Sequence, residues 1–443
     1  MEEIGPRPEL SRARGDILIK DVLLSGKTVD MYIDEGGRIA AIGEGVGRNH
    51  RNESTRVIEG RDRVAAPGFV NTHTHAAMTL LRGYADDMPL QKWLTEEIWP
   101  LEAHLTGDDV YRGTKLACLE MIRSGTTAFN DQYFFMEHAA RATAEMGIRG
   151  TFAHGFLDFG VPEKREAGIK ATESLVAHIR SMDNPCIRAS VGPHSVYTVS
   201  VEGLSWCSEF AEEQGIGIHI HLSETEQEVV DSILQYGKRP PQVLDECGCL
   251  TPMTVAAHCC WLDEADCALL GRRGVHAAHN PASNMKLAVN RAMPYHWLKK
   301  SGANISLGTD GCASNNNLDM LEEMKFAALL QKFSWNDQTL LPAGEALEIA
   351  TAGGARALGI GTGRLEVGAP ADLILLDRHA VCNVPLYNPD SNIVYACNGD
   401  TVKTVICDGR VVMLDRVVPG EEEIRRGAAL SAEALLQRRG DRE

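Results

Sequence analysis

Gly68-Phe69-Val70-Asn71-Thr72-His73-Thr74-His75 is the stretch on which the fold reading turns. It closes an apolar run that opens at Val64-Ala65-Ala66-Pro67 and ends in two histidines one residue apart. On an extended strand, residues i and i+2 face the same side, about 6–7 Å apart at Cα. His73 and His75 can therefore converge on one ion while Thr74 faces away. A zinc–nitrogen bond of about 2.0–2.1 Å suits such a pair. Two histidines at a strand end also fit a purely structural reading, so the rest of the chain has to decide.

Strand-like runs recur at residues 64–75, 125–131, 148–157, 186–197, 215–224, 253–262, 275–283 and 304–311, mostly separated by amphipathic helical stretches. Eight βα units predict a (β/α)8 TIM barrel, whose active-site residues sit at the C-terminal ends of its strands. Chemically capable residues do gather there. Run one ends in His73 and His75, run four near His194, and run five in His219, His221 and Glu224. Run six carries His258, run seven His279 before Asn280-Pro281, and run eight Asp310.

Short strands precede and follow this middle: residues 16–20, 29–34 and 38–42 at one end, 371–377 and 402–413 at the other. Glu35-Gly36-Gly37 reads as a hairpin turn. Neither piece has enough apolar material to stand alone, so the two ends are expected to pair into one small β-sandwich domain. The expected division is 1–63 for its N-terminal part, 64–361 for the barrel, and 362–443 for its C-terminal part and tail.

The bulk composition narrows the function. With 443 residues, 44% hydrophobic and 24% charged, the chain is an ordinary soluble one with a large core. A formal charge of −17 argues against nucleic acid or an anionic membrane surface as partner. The first fifteen residues carry no signal-peptide core, and no window approaches the roughly 18 apolar residues of a membrane span. Twelve scattered cysteines without a secretion signal are expected to be free thiols in a cytoplasmic protein. A homo-oligomer is expected.

Two histidines of run one, a third from run five and a carboxylate form an N3O set suited to zinc, with iron or manganese as alternatives. His221 is the expected third ligand and Asp310, within Gly308-Thr309-Asp310-Gly311, the fourth. His219 shares the face of His221 one step deeper and reads as a core histidine. Two-metal barrel hydrolases often bridge their ions with a modified lysine at the end of strand four. No lysine occurs from residue 171 to 237, so one ion per chain is expected.

These motifs resemble the amidohydrolase superfamily: Asn71 to His75, His219 to Glu224, Ala257-His258-Cys259, His279 to Asn284, and Gly308 to Asn316. Within it they are similar to the branch that deaminates S-adenosylhomocysteine, methylthioadenosine and 5′-deoxyadenosine, over about residues 16–415. The resemblance implies a zinc-dependent hydrolytic deaminase of 5′-modified adenosines, so a small nucleoside is the expected partner. Zinc on His73, His75, His221 and Asp310 would activate a water. Glu224 would protonate N1 of the base, while His258 and Asp310 would stabilise and deprotonate the attacking water. Glu102, in Pro100-Leu101-Glu102, would accept the ribose hydroxyls, and His194 would contact substrate.

Two rivals stand beside this reading. One is a related hydrolase acting on a free base or triazine, of the guanine or cytosine deaminase or chlorohydrolase type; Glu102 discriminates, because a ribose clamp has no purpose there. The other is a barrel retained as a non-catalytic scaffold, against which the full ligand set and Glu224 argue. Relatives that accept S-adenosylhomocysteine well can place an arginine near the end of strand three, where this chain has His154. A neutral imidazole is a poorer carboxylate partner than a guanidinium. The expected preference is therefore a small, uncharged 5′ group, with Lys164 or Arg165 as candidates to compensate.

Overall fold

The computed structural model describes residues 14–440. The outer ends of the two flanking pieces, residues 1–13 and 441–443, lie outside the described residues. Eight parallel strands form the barrel sheet in chain order: Phe69–Thr74, Thr126–Tyr133, Arg149–Phe156, Ile187–Pro193, Gly217–Leu222, Thr254–His258, His276–His279 and Asn304–Leu307. The helices between them carry their own start and stop signals. In Gly107–Ser124, Thr106 and Asp109 form a capping box, and Gly125 ends the helix at φ 95°, in the left-handed region.

Side chains help to close the barrel. The Asn71 amide donates to Thr309 Oγ1 (2.7 Å), and its oxygen accepts from Thr309 N (3.0 Å). Thr72 Oγ1 donates to Leu307 O, and Asp310 N donates to His73 O at 2.9 Å. Strand one and the end of strand eight are thereby locked side by side, which sets Asp310 next to the two histidines.

The small domain is a second sheet knitted from both chain ends. Its strand order is Arg410–Met413, Val402–Cys407, Leu373–Asp377, Arg63–Pro67, Ile17–Leu24, Lys27–Ile33 and Ile39–Gly43, with Arg56–Glu59 also paired to Ile17–Leu24. The seam between the ends is antiparallel, with Ala65 opposite Leu375 and Ala66 opposite Ile374. The far edge returns to the start of Leu373–Asp377 through Ile39 N to Ala369 O at 2.9 Å. One curled sheet therefore surrounds a single core, including Ile17, Ile19, Met31, Ile33, Leu373 and Ile406.

One expected strand run is divided. The run from Val64 is two strands rather than one: Arg63–Pro67 belongs to the small sheet, and the chain enters the barrel only after Gly68. A Cβ on Gly68 would lie 2.3 Å from Thr127 Oγ1, so only glycine passes there without displacing the neighbour. The C-terminal piece is also less uniform than expected. Its last helix, Glu421–Gly440, packs on barrel helix Gly107–Ser124.

Candidate metal centre and substrate cavity

Alternation along strand one turns His73 and His75 inward, and strand five does the same for His219 and His221. The ligand atoms of His73, His75 and His221 lie within 4.8 Å of one another, as do those of His73, His258 and Asp310. Asp310 Oδ1 is 3.5 Å from His73 Nε2 and 3.3 Å from His75 Nε2.

Hydrogen bonds on the far ring nitrogens test whether a cation fits. His75 Nδ1 faces the Gln132 carbonyl at 2.6 Å, and His221 Nδ1 faces the His194 carbonyl at 2.8 Å. A carbonyl can only accept, so both Nδ1 atoms donate and each neutral ring presents a bare Nε2 lone pair. Those two Nε2 atoms face each other at 3.3 Å without a proton to share. His73 Nε2 is buried with no hydrogen-bond partner. Converging lone pairs beside a carboxylate fit a divalent cation.

Electrostatics agree. Burial lowers His73 and His258 to about 4 and His194 to about 3, so these imidazoles are neutral at pH 7. Burial alone would raise Asp310, but the imidazoles of His73, then His75 and His258, crowded against it take its carboxyl well below the usual carboxylate range. Its Oδ2 accepts from Ser283 Oγ at 2.7 Å. Burial, reinforced by the Asp310 charge, pushes Glu224 up to about 8. Glu224 Oε1 lies 3.8 Å from His258 Nδ1, and its backbone N–H and that of Ser223 both donate to Glu228 at 2.8 Å. Ser223, His258 and Asp310 are non-glycine residues at φ 48°, 70° and 63°, a cost that clusters at functional sites.

The cluster opens into a cavity lined by Trp93, Trp99, Glu102, His194, Tyr197 and Glu224. Glu102 Oε1 accepts from Tyr133 OH at 2.6 Å, and burial raises its carboxyl to about 7. His194 lines the same cavity, its Nδ1 held between Thr198 Oγ1 (2.9 Å) and Ser195 Oγ (3.1 Å). Beyond Trp99, Glu102 and Phe134 a chamber of about 830 Å³ continues past His154, Phe135, Phe159 and Lys164.

All eight expected site residues, His73, His75, Glu102, His194, His221, Glu224, His258 and Asp310, thus line one cavity or its buried floor. His279 does not join them; its Nε2 faces Gln331 at 3.4 Å. Of the two basic candidates after strand three, only Lys164 lines the chamber. Arg165 turns to Ser200 Oγ (3.4 Å) and Asp158 (3.8 Å). Gln132, Tyr133 and Glu228 escaped the sequence reading. Asp131-Gln132-Tyr133 ends strand two, where the strand-end criterion would have found the first two.

A parallel barrel with this histidine–aspartate cluster at its strand ends defines a metal-dependent hydrolase. The model described as Amidohydrolase family matches residues 64–412, and the chain belongs to that family. Among its relatives, the 5′-deoxyadenosine deaminase of Methanoregula boonei is 61% identical over 95% of this chain and 96% of its own length. The 5-methylthioadenosine/S-adenosylhomocysteine deaminase 1 of Archaeoglobus fulgidus is 49% identical over 88% and 90%. An adenosine deaminase from Xanthomonas campestris, solved with bound zinc, superposes with a TM-score of 0.89 at 35% identity, covering 96% of this chain and 99% of that one. An atrazine chlorohydrolase from Arthrobacter aurescens (TM-score 0.86, 22% identity, 94% and 100% covered) shares the fold.

Proposed function

We propose that this protein is a zinc-dependent hydrolytic deaminase of 5′-modified adenosines, releasing ammonia and the inosine analogue. The observation that carries this reading is Glu102, held by Tyr133 in the same cavity as the histidine–aspartate cluster. A carboxylate there suits two vicinal ribose hydroxyls and has no purpose for a free base or triazine. The names of the relatives above support the same substrate class.

His73, His75, His221 and Asp310 would hold one ion, zinc by preference. That ion supplies Lewis acidity, which brings the pKa of a water toward neutrality. His258 and Asp310 stand beside the cluster as the bases that stabilise the water and take its proton as its oxygen bonds to C6. Glu224, whose raised pKa keeps it protonated near pH 7, delivers its proton to N1, where it stays in the inosine analogue; the two protons of the water then recharge Glu224 and convert the C6 amine to departing ammonia. His194 and Glu102 orient the nucleoside.

The adjoining chamber bears on the 5′ group. Its walls are mainly aromatic and aliphatic, with the carboxylates of Glu102 and Glu137 among them, and burial lowers the His154 pKa against the pull of Glu137, so the imidazole is neutral. Lys164 is its one basic side chain among the described residues, with Nζ 4.9 Å from the Phe159 ring centre. The apolar walls and the neutral imidazole support a preference for 5′-deoxyadenosine or methylthioadenosine over S-adenosylhomocysteine, with Lys164 the one group placed to offset it. An ammonia-release panel with these three, adenosine, guanine and cytosine tests both levels. Turnover of only the free bases would overturn the deaminase of nucleosides, and a higher kcat/KM for S-adenosylhomocysteine would overturn the preference alone.

The remaining expectations are narrower. The expected homo-oligomer would be read directly by light scattering, with the exposed Phe333, Val381 and Tyr387 as candidate contacts. No helix among the described residues is long and apolar enough to cross a membrane. All twelve cysteines are free, which supports a reducing cytoplasm as the working compartment.

A further inference from the structure

We infer that His219 is a positioning residue for the metal ligand His73: it accepts the Nδ1 proton of His73 and so keeps the Nε2 lone pair of His73 turned to the cation. The inference rests on the metal-site reading above.

His219 is fully buried on the inward face of Gly217–Leu222, two residues before His221. Its Nε2 lies 2.8 Å from His73 Nδ1, and the two rings meet edge to face at 89°. Only one proton can occupy that contact. If His219 supplied it, the neutral His73 ring would carry its own proton on Nε2, the atom that must ligate. If His73 supplies it, Nε2 is bare and His219 carries its proton on Nδ1.

That second arrangement needs a place for the His219 Nδ1 proton. Nδ1 of His219 has no protein partner, and neither have Asn130 Oδ1 and Ser190 Oγ. All three residues line one cavity of about 580 Å³, which opens at the opposite end of the barrel between strand starts such as Arg188 and Gly217. The 2.8 Å contact thus ties the two tautomers together, with the outer His219 proton held in this buried polar space. Partners of this kind on ligating histidines typically contribute about 10–100-fold in metal affinity.

The test uses zinc affinity of the full chain, measured by competition with a chromophoric chelator, in wild type, His219→Leu and His219→Gln. Leucine offers no acceptor and should cost about 10–100-fold. Glutamine can present its Oε1 and should recover most of that loss, which a purely space-filling role would not predict. Long-range proton–nitrogen spectra of zinc-loaded wild type, with labelled histidine, should show His73 protonated at Nδ1 and His219 bare at Nε2. Unchanged zinc affinity in His219→Leu, or a His73 bare at Nδ1, would overturn the inference while leaving the metal site intact. A wild-type chain without zinc affinity would overturn the site reading and this inference together. Should the leucine variant not fold, the wild-type spectra decide.

Discussion

Glu224 and Glu102 are both enclosed carboxyls with raised pKa values, yet the proposed reaction needs them in opposite states. Glu224 must arrive protonated, so Glu224→Gln should keep its zinc and lose about 10²–10⁴-fold in kcat; turnover near wild type would assign the proton transfer elsewhere. Glu102 must be ionised to accept hydroxyls. Burial sets its pKa near 7, the Tyr133 hydroxyl favouring the charged form. The carboxylate is therefore lost as pH falls through about 7, and KM for nucleosides should rise there. Glu102→Gln should show a higher KM that no longer varies over that range, read from initial rates at fixed zinc. His73→Ala and Asp310→Ala should lose both the metal, by elemental analysis, and activity.

Among the elements, the junction of strands one and eight carries most of the site geometry. A Cβ on Gly308 would lie 2.8 Å from both His73 N and His73 Cβ, contacts that real side chains do not make. Gly308→Ala must push the two strands apart, at about 1–3 kcal/mol by analogy with overpacked cores. Thermal unfolding and zinc titration should show lower stability and weaker metal binding together, because Asp310 travels with strand eight. A stable variant with weakened zinc would place the effect on geometry alone. Glu228 has a comparable place after strand five, where it satisfies the amides of Ser223 and Glu224 across a strained turn.

Across the whole molecule, the barrel and the end-built sheet are joined by a buried ion network. Arg149, opening barrel strand three, donates to Asp372 at 2.7 Å and to Asp408 at 3.0 Å, and Asp372 is 1% exposed. Removing Asp372 leaves the buried Arg149 guanidinium with Asp408 alone, a loss bounded by the about 3–5 kcal/mol of breaking a buried pair outright. Asp372→Ala should therefore lower the urea midpoint of the zinc-loaded protein markedly; an unchanged midpoint would mean that the sheet is held by its apolar packing alone. The C-terminal helix reaches the segment that carries Glu102: Arg438 Nε donates to His104 O at 3.1 Å, and Arg439 pairs with Glu97 at 3.1 Å.

What was legible in the chain was whatever depends on near neighbours. The two-residue spacing of His73 and His75 follows from strand alternation, and the eight runs with reactive residues at their ends follow from the βα repeat. Those local periods sufficed for the barrel, the pairing of the two chain ends and the reactive residues at the strand ends, whereas Glu102 came from the resemblance to the family and from no period. They did not reveal that the run from Val64 breaks at Gly68, since pairing partners, not composition, assign Arg63–Pro67 to the other sheet. Nor did they show Tyr133 on Glu102, His219 under His73, or Lys164 rather than Arg165 in the chamber. Those contacts join side chains brought together, or turned apart, by barrel closure and helix rotation. Only the packed structure decides them, because a side chain's direction in space depends on every element it is packed against.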